Sequence, residues 1–194
     1  MLTQEQIIDI LTKTGVLLNG HFLLTSGRHS DRYMQCARLF QYPIYSEMIC
    51  KSLAERFEGQ TIDLVIGPAI GGIIMAYELA RQLNAKAIFA EREDGIMLLR
   101  RGFEIPKAAK VLVAEDVITT GGSVKEVIEL VEQAQADLIG VAVVVYRSNG
   151  KIDFGTKLIS AIAMDIPSYE PSDCPLCRQN IPIVKPGSRK LKLG

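Results

Sequence analysis

Apolar positions in this chain change period along its length, and the changes mark out its elements. Ile7, Ile8, Ile10 and Leu11 form a helical stripe over residues 3–14, with Thr3 as N-cap and Gly15 as terminator. Residues 16–40 mix apolar, glycine and hydroxyl positions and predict short strands and loops. A second helix is expected over 43–58, opened by Pro43 at a first-turn position. From residue 62 the pattern becomes short apolar runs, at 62–66, 86–90, 111–114, 139–146 and 158–163. Amphipathic helical stretches follow the first of them, to about Leu83, and the third, from about Ser123 to Gln135. Strands apolar throughout and alternating with helices predict a parallel sheet covered on both faces. Their β-branched content and short length argue against buried helix segments. There is no internal repeat, and the last ten residues, with Pro186 and Gly187, read as a loose tail.

Composition adds bounds to this α/β picture. With 194 residues, 48% of them hydrophobic, one domain with a full core is expected. Twenty-two basic residues balance 22 acidic ones, so no nucleic-acid partner is expected and anion binding must be local. No apolar run reaches the roughly 18 residues of a membrane helix, and the N-terminus lacks a signal pattern. A cytoplasmic location with no membrane association is the expectation, and four cysteines agree with a reducing compartment.

The strongest chemical signal runs from Val111 to Ser123. An apolar strand leads into Glu115 and Asp116, then Val117 and Ile118, then Thr119-Thr120-Gly121-Gly122-Ser123 and an amphipathic helix. In open α/β sheets ligands sit at the carboxyl ends of strands. There a helix N-terminus offers backbone N–H groups to an anion, and glycines let the backbone approach phosphate oxygens. The hydroxyls of Thr119, Thr120 and Ser123 add donors. The two acids suit ribose hydroxyls, or Mg²⁺ held through water. No lysine follows the glycines and no G-x-G-x-x-G is present, which excludes a P-loop and a dinucleotide fingerprint.

This nine-residue loop resembles the signature of the type I phosphoribosyltransferases. The resemblance implies that fold, 5-phosphoribosyl 1-diphosphate as ligand, and a Mg²⁺-assisted replacement of diphosphate by a nitrogen base. The segment from Gly20 to Ser30 resembles the G-x-F-x-L-x-S-G-x-x-S pattern of orotate phosphoribosyltransferases, which purine-using relatives lack. Residues 67–72, including Ala69 and Gly71, resemble the diphosphate-binding turn, and Tyr146-Arg147 a strand end carrying an orotate-contacting arginine. The likeness spans about residues 15–187 and is nearest the short bacterial and archaeal form. It implies one domain over 1–194, with a hood (about 15–40 and 165–187) above a core (about 43–163). The implied orotate contacts are Ser26, Gly27, Tyr33, Thr119 and Arg147; those to the sugar diphosphate are Glu115 to Ser123, Arg92, Ala69 and Gly71. No protein atom is expected to bind the metal directly. Where the family often has a lysine, this chain has Thr25, so one cationic contact is either missing or supplied elsewhere, with Arg28 as the candidate.

Residues 91–103 hold Arg92, Arg100 and Arg101. By resemblance they form a loop that closes over the site and reaches a neighbouring subunit, which implies a homodimer; a β-hairpin with solvated charges is the alternative. Departing diphosphate needs such cations, so Arg92 and Arg100 are expected to be catalytic, together with the acid Asp116. Arg101 is the weaker candidate, since adjacent strand residues point apart. His21 and His29 lack a partnered carboxylate at useful spacing and are expected to be structural. Cys174 and Cys177 have half of a zinc-knuckle spacing, but two further donors are not evident; a turn with reduced thiols is expected. Asp153-Phe154-Gly155 copies a kinase tripeptide without its companion motifs. Two other functions stay open here: a phosphoribosyltransferase for another base, and a non-catalytic regulator of the same fold.

Overall fold

The computed structural model describes residues 1–24, 26–147 and 152–186. Thr25 and most of the expected tail lie outside the described residues. Helix α1 (Gln4–Lys13) starts on a capping box: Gln6 N–H donates to Thr3 Oγ1 (3.2 Å) and Thr3 N–H to Gln6 Oε1 (2.9 Å). Strands β1 (Leu17–Leu23) and β2 (His29–Met34) form an antiparallel hairpin. Helix α2 (Pro43–Ala54) has Pro43 in its first turn and tightens into a 3-10 turn at Glu55–Phe57.

Among the described residues the main sheet has six strands. These are β3 (Leu64–Pro68), β4 (Lys86–Glu93), β5 (Ile96–Leu99), β6 (Lys110–Ile118), β7 (Asp137–Tyr146) and β8 (Leu158–Ala163), in the order β5-β4-β3-β6-β7-β8. All pairings are parallel except β4 with β5. Helices α3 (Gly71–Leu83) and α4 (Gly122–Gln133) follow β3 and β6, and a single turn, α5 (Pro175–Arg178), lies near the end.

Alternate residues of β6 face opposite cores, as strand geometry requires. Leu112 and Ala114 join Ile7, Leu11, Ile49, Leu53, Met75 and Leu79 from α1, α2 and α3. Val111 and Val113 join Val124, Val127 and Val131 of α4 and Met97 of β5. Apolar side chains on both faces explain why the strands read as unbroken apolar runs.

Two expectations need correction. The third strand does not end at Ala114 but runs to Ile118, pairing Glu115 with Val143 and Ile118 with Tyr146. Backbone pairing tolerates the two acids, because a strand's ladder uses main-chain groups only. Residues 91–103 are not an open loop: β4 continues to Glu93 and turns through Asp94-Gly95, both at positive φ, into β5. Asp-Gly between two paired runs is a local hairpin signal.

Beyond the sheet, the C-terminal segment straps onto the β1–β2 hairpin. Val184 pairs with Phe22 and Tyr169 with His29, and Ser30 Oγ donates to the Pro167 carbonyl at 2.8 Å.

Candidate active site

Because β3, β6 and β7 are parallel, their carboxyl ends lie along one edge. One concavity there is lined by Glu115, Val117, Ile118, Thr119, Thr120, Gly121, Gly122, Ser123 and Val124. Gly121 is the N-cap of α4, with φ 77° and ψ 5°, a left-handed conformation that suits glycine. A Cβ there would also lie 2.9 Å from Phe154. The kinase-like tripeptide thus supplies an aromatic wall behind the turn. The first N–H groups of α4 open towards the concavity, the arrangement that binds a phosphate dianion.

Asp116, also in β6, lies on a different side. A Cβ on Gly71 would come within 2.5–2.7 Å of all three carboxylate atoms of Asp116. The first residue of α3 must therefore be glycine for the Asp116 carboxylate to sit at that helix N-terminus. Val117 N–H donates to Asp116 Oδ1 (2.8 Å) and Asp116 N–H to Glu115 Oε1 (3.0 Å). Burial pushes the Glu115 carboxyl above its ordinary range, and the charge of Asp116 adds to the shift. Burial likewise raises Asp116. Two buried, adjacent acids gain from a nearby cation. This oxygen-only donor pair fits a hydrated magnesium ion. Ala69 opens the turn after β3, its N–H donating to the Ala90 carbonyl at 2.7 Å.

Arg147 follows β7, its N–H donating to the Ile118 carbonyl at 2.9 Å, so it stands beside the phosphate loop. Its Nε is buried and has no hydrogen-bond partner among the described residues. An orphaned guanidinium donor costs free energy, about 1–3 kcal/mol or more, until an acceptor reaches it. Burial lowers the Arg147 pKa, while Cys36, Tyr33 and Asp165 act against that shift. Tyr33 of β2 thus lies within electrostatic reach of Arg147; its hydroxyl donates to Gln35 Oε1 at 3.3 Å. Ser26 and Gly27 occupy the β1–β2 turn, closed by Gly27 N–H to the Leu24 carbonyl (3.0 Å).

Arg28 is not a substitute cation for the base. Its Nε and Nη2 donate to the Ser168 hydroxyl and carbonyl, each at 2.8 Å, and Nη1 pairs with Glu170. The guanidinium ties the turn to the C-terminal strap. Cys36, by contrast, was not evident as a site residue. It is buried, and its thiol is pushed far up by burial, then by Asp116, with Arg147 opposing. It therefore lies under the junction of the acids and Arg147. A lone cysteine in a mixed segment carries no sequence signal for such a position.

The three arginines of the β4–β5 region divide. Arg92 pairs with Glu126 of α4 (2.6 Å), and its Nη2 is 3.5 Å from Ser123 Oγ. It thus borders the phosphate loop. Arg100 pairs with Glu93 (3.1 Å) and Glu91 (3.7 Å), and Arg101 with Glu91 (3.1 Å). Alternation does not separate these two, because β5 ends at Leu99 and Arg101 has φ 61°. Both reach the same acid, and neither is brought to the loop.

Comparison with known proteins agrees with this geometry. The Phosphoribosyl transferase domain family matches residues 44–154. An orotate phosphoribosyltransferase of Caldanaerobacter subterraneus subsp. tengcongensis is 60% identical over 188 residues, covering 97% of this chain and 99% of its own. One from Thermotoga maritima is 53% identical over 186 residues, covering 96% and 100%. The crystal structure of orotate phosphoribosyltransferase from Aeropyrum pernix superposes with a TM-score of 0.69 at 28% identity, covering 81% of this chain and 93% of that one. An adenine phosphoribosyltransferase from Thermoanaerobacter pseudethanolicus shares the fold, with a TM-score of 0.61 over 69% of this chain and 88% of its own. With its phosphate loop, its paired acids and near full-length likeness to these relatives, the chain belongs to the phosphoribosyltransferase family, in its orotate phosphoribosyltransferase branch.

Proposed function

We propose that the chain transfers the 5-phosphoribosyl group from 5-phosphoribosyl 1-diphosphate to orotate, giving orotidine 5′-phosphate and diphosphate, a step of pyrimidine nucleotide synthesis. The observation that carries this reading is the buried Nε of Arg147, without a partner among the described residues, beside the Glu115–Ser123 concavity. The pairing supports an anionic base next to a sugar phosphate. A purine offers a guanidinium neutral acceptors only, whereas the orotate carboxylate adds negative charge and a bidentate edge.

In this reading Thr119 to Ser123 and the α4 N-terminus hold the 5-phosphate. Glu115 and Asp116 accept from the ribose hydroxyls. They would also hold a magnesium ion through water. When bound, that ion supplies positive charge to the leaving diphosphate. Ala69, Gly71 and Arg92 border the diphosphate. Arg147, Thr119, Tyr33, Ser26 and Gly27 surround orotate. Arg100 reaches the diphosphate once it leaves its acidic partners. Orotate is already deprotonated at N1 in its dianion, so the chemistry requires no dedicated general base.

The functional unit in this reading is one domain, a hood of residues 15–40 and 165–187 over a core of 43–163, working as a cytoplasmic homodimer. No helix among the described residues is long and apolar enough to cross a membrane. The test is turnover: purified protein with the sugar diphosphate and Mg²⁺ should consume orotate, seen as a fall in its ultraviolet absorbance, and leave adenine, guanine and uracil untouched. Normal binding of the sugar diphosphate without orotate loss would overturn the enzyme reading.

A further inference from the structure

Away from the phosphate loop, four side chains from distant parts of the chain meet in the strapped hairpin. His21 lies in β1, His29 starts β2, and Cys174 and Cys177 flank and enter α5. One ligand-type atom from each lies within 4.8 Å of every other. His21 Nε2 is 3.0 Å from His29 Nδ1, 3.5 Å from Cys174 Sγ and 3.8 Å from Cys177 Sγ; Cys177 Sγ is 3.3 Å from His29 Nδ1. Tetrahedral zinc with Zn–N about 2.0–2.1 Å and Zn–S about 2.3 Å places ligand atoms roughly 3.3–3.8 Å apart. The observed separations fall close to that range.

Three of the four residues are buried: His21 is 3% exposed, His29 9% and Cys174 0%. The outer contacts also match a metal centre. His21 Nδ1 is 2.7 Å from the Ile181 carbonyl, which can only accept. Nδ1 therefore carries the proton, and Nε2 presents its lone pair to the cluster. This is the carbonyl-oriented imidazole found behind metal-bound histidines. Two thiolates and two neutral imidazoles would exactly cancel the charge of a divalent ion, which suits a buried site.

We propose that His21, His29, Cys174 and Cys177 bind one zinc ion in a closed, structural Cys₂His₂ site that locks the C-terminal strap onto the β1–β2 hairpin. The two further donors that the cysteine pair needs come from the hairpin. With four protein ligands no position is open for catalysis. The ion instead fixes the two strands that carry the turn with Ser26 and Gly27. Its role is thus distinct from that of the magnesium at the phosphoribosyl site.

The test uses untagged full-length protein, expressed with zinc in the medium and gel-filtered in buffer containing a phosphine reductant but no chelator. Elemental analysis should find about one zinc per chain. Cobalt(II) put in its place should show the visible bands of a tetrahedral ion and a thiolate-to-cobalt charge-transfer band in the near ultraviolet. Cys177→Ser, at the exposed ligand, should weaken that band and cut retained zinc several-fold. Zinc below about a tenth per chain, with no cobalt spectrum from the reduced protein, would refute the site. So would an undiminished spectrum in both Cys177→Ser and His29→Ala. Metal content and spectrum are read without substrate, so the outcome is independent of orotate turnover.

Discussion

Glu115 and Arg147 both carry ionisable groups whose charged forms burial disfavours. For Glu115 the folded carboxyl titrates above its unfolded value, chiefly because it is buried. A raised acid favours folding while protonated, so its contribution is complete at low pH and is lost as pH climbs towards the folded value. Glu115→Gln removes that titration. The variant should therefore melt higher than the parent at pH 8, by a margin that shrinks towards pH 5; a margin independent of pH would show that Glu115 is not held protonated. A second residue-level prediction separates the ligands. Asp116→Asn should weaken use of the sugar diphosphate, and Arg147→Ala use of orotate. Each loss should be about 1.5–3 kcal/mol, roughly ten- to hundredfold in KM for its own ligand. Initial-rate kinetics varying each substrate in turn would check this, and equal losses on both ligands would sink the division of roles.

Among elements, the end of β6 and the start of α3 are packed against each other through Asp116 and Gly71. Gly71→Ala puts a methyl group against the Asp116 carboxylate, and such overpacking costs about 1–3 kcal/mol. In an Asp116→Ala background most of that cost should vanish; additive losses in denaturant titrations of the four proteins would mean that the contact does not matter. The sequence made the phosphate turn legible because its glycines, hydroxyls and acids are contiguous and each has a local reason to be there. Helix starts at Thr3 and Pro43 were legible for the same reason. The reach of β6 was hidden, since Glu115 and Asp116 interrupt the apolar run while the backbone goes on pairing. Arg28 looked like a free cation because its partners, Ser168 and Glu170, lie far along the chain. The meeting of His21 and His29 with Cys174 and Cys177 was invisible for that same reason. Contacts of this kind come from the packing of the strap on the hairpin, which no local pattern encodes.

Across the whole molecule, α2 and α3 leave apolar side chains uncovered. Ile70, Ile74 and Tyr77, spaced four and three residues apart along one helical face, are 84%, 49% and 67% exposed, and Ile44 on α2 is 66% exposed. A face of this kind is expected to be buried against a second copy, so the protein should sediment as a dimer and Ile74→Asp with Tyr77→Asp should shift it towards monomer. The arginines of the β4–β5 hairpin make a stronger test. Arg100 is 45% exposed and held by Glu93 and Glu91; exposed pairs of this sort contribute about 1 kcal/mol or less, so substrate charge can draw the arginine away. If it then serves the neighbouring subunit, Asp116→Asn and Arg100→Ala chains, each strongly impaired alone at limiting sugar diphosphate, complement one another under that condition. Random mixing after reversible unfolding makes half the dimers hybrid, each with one site that has both residues intact. About a quarter of parental activity should return. Recovery would establish the dimer as the catalytic unit, whereas none, with hybrids confirmed by native mass spectrometry, would place Arg100 in its own subunit's site or outside the reaction.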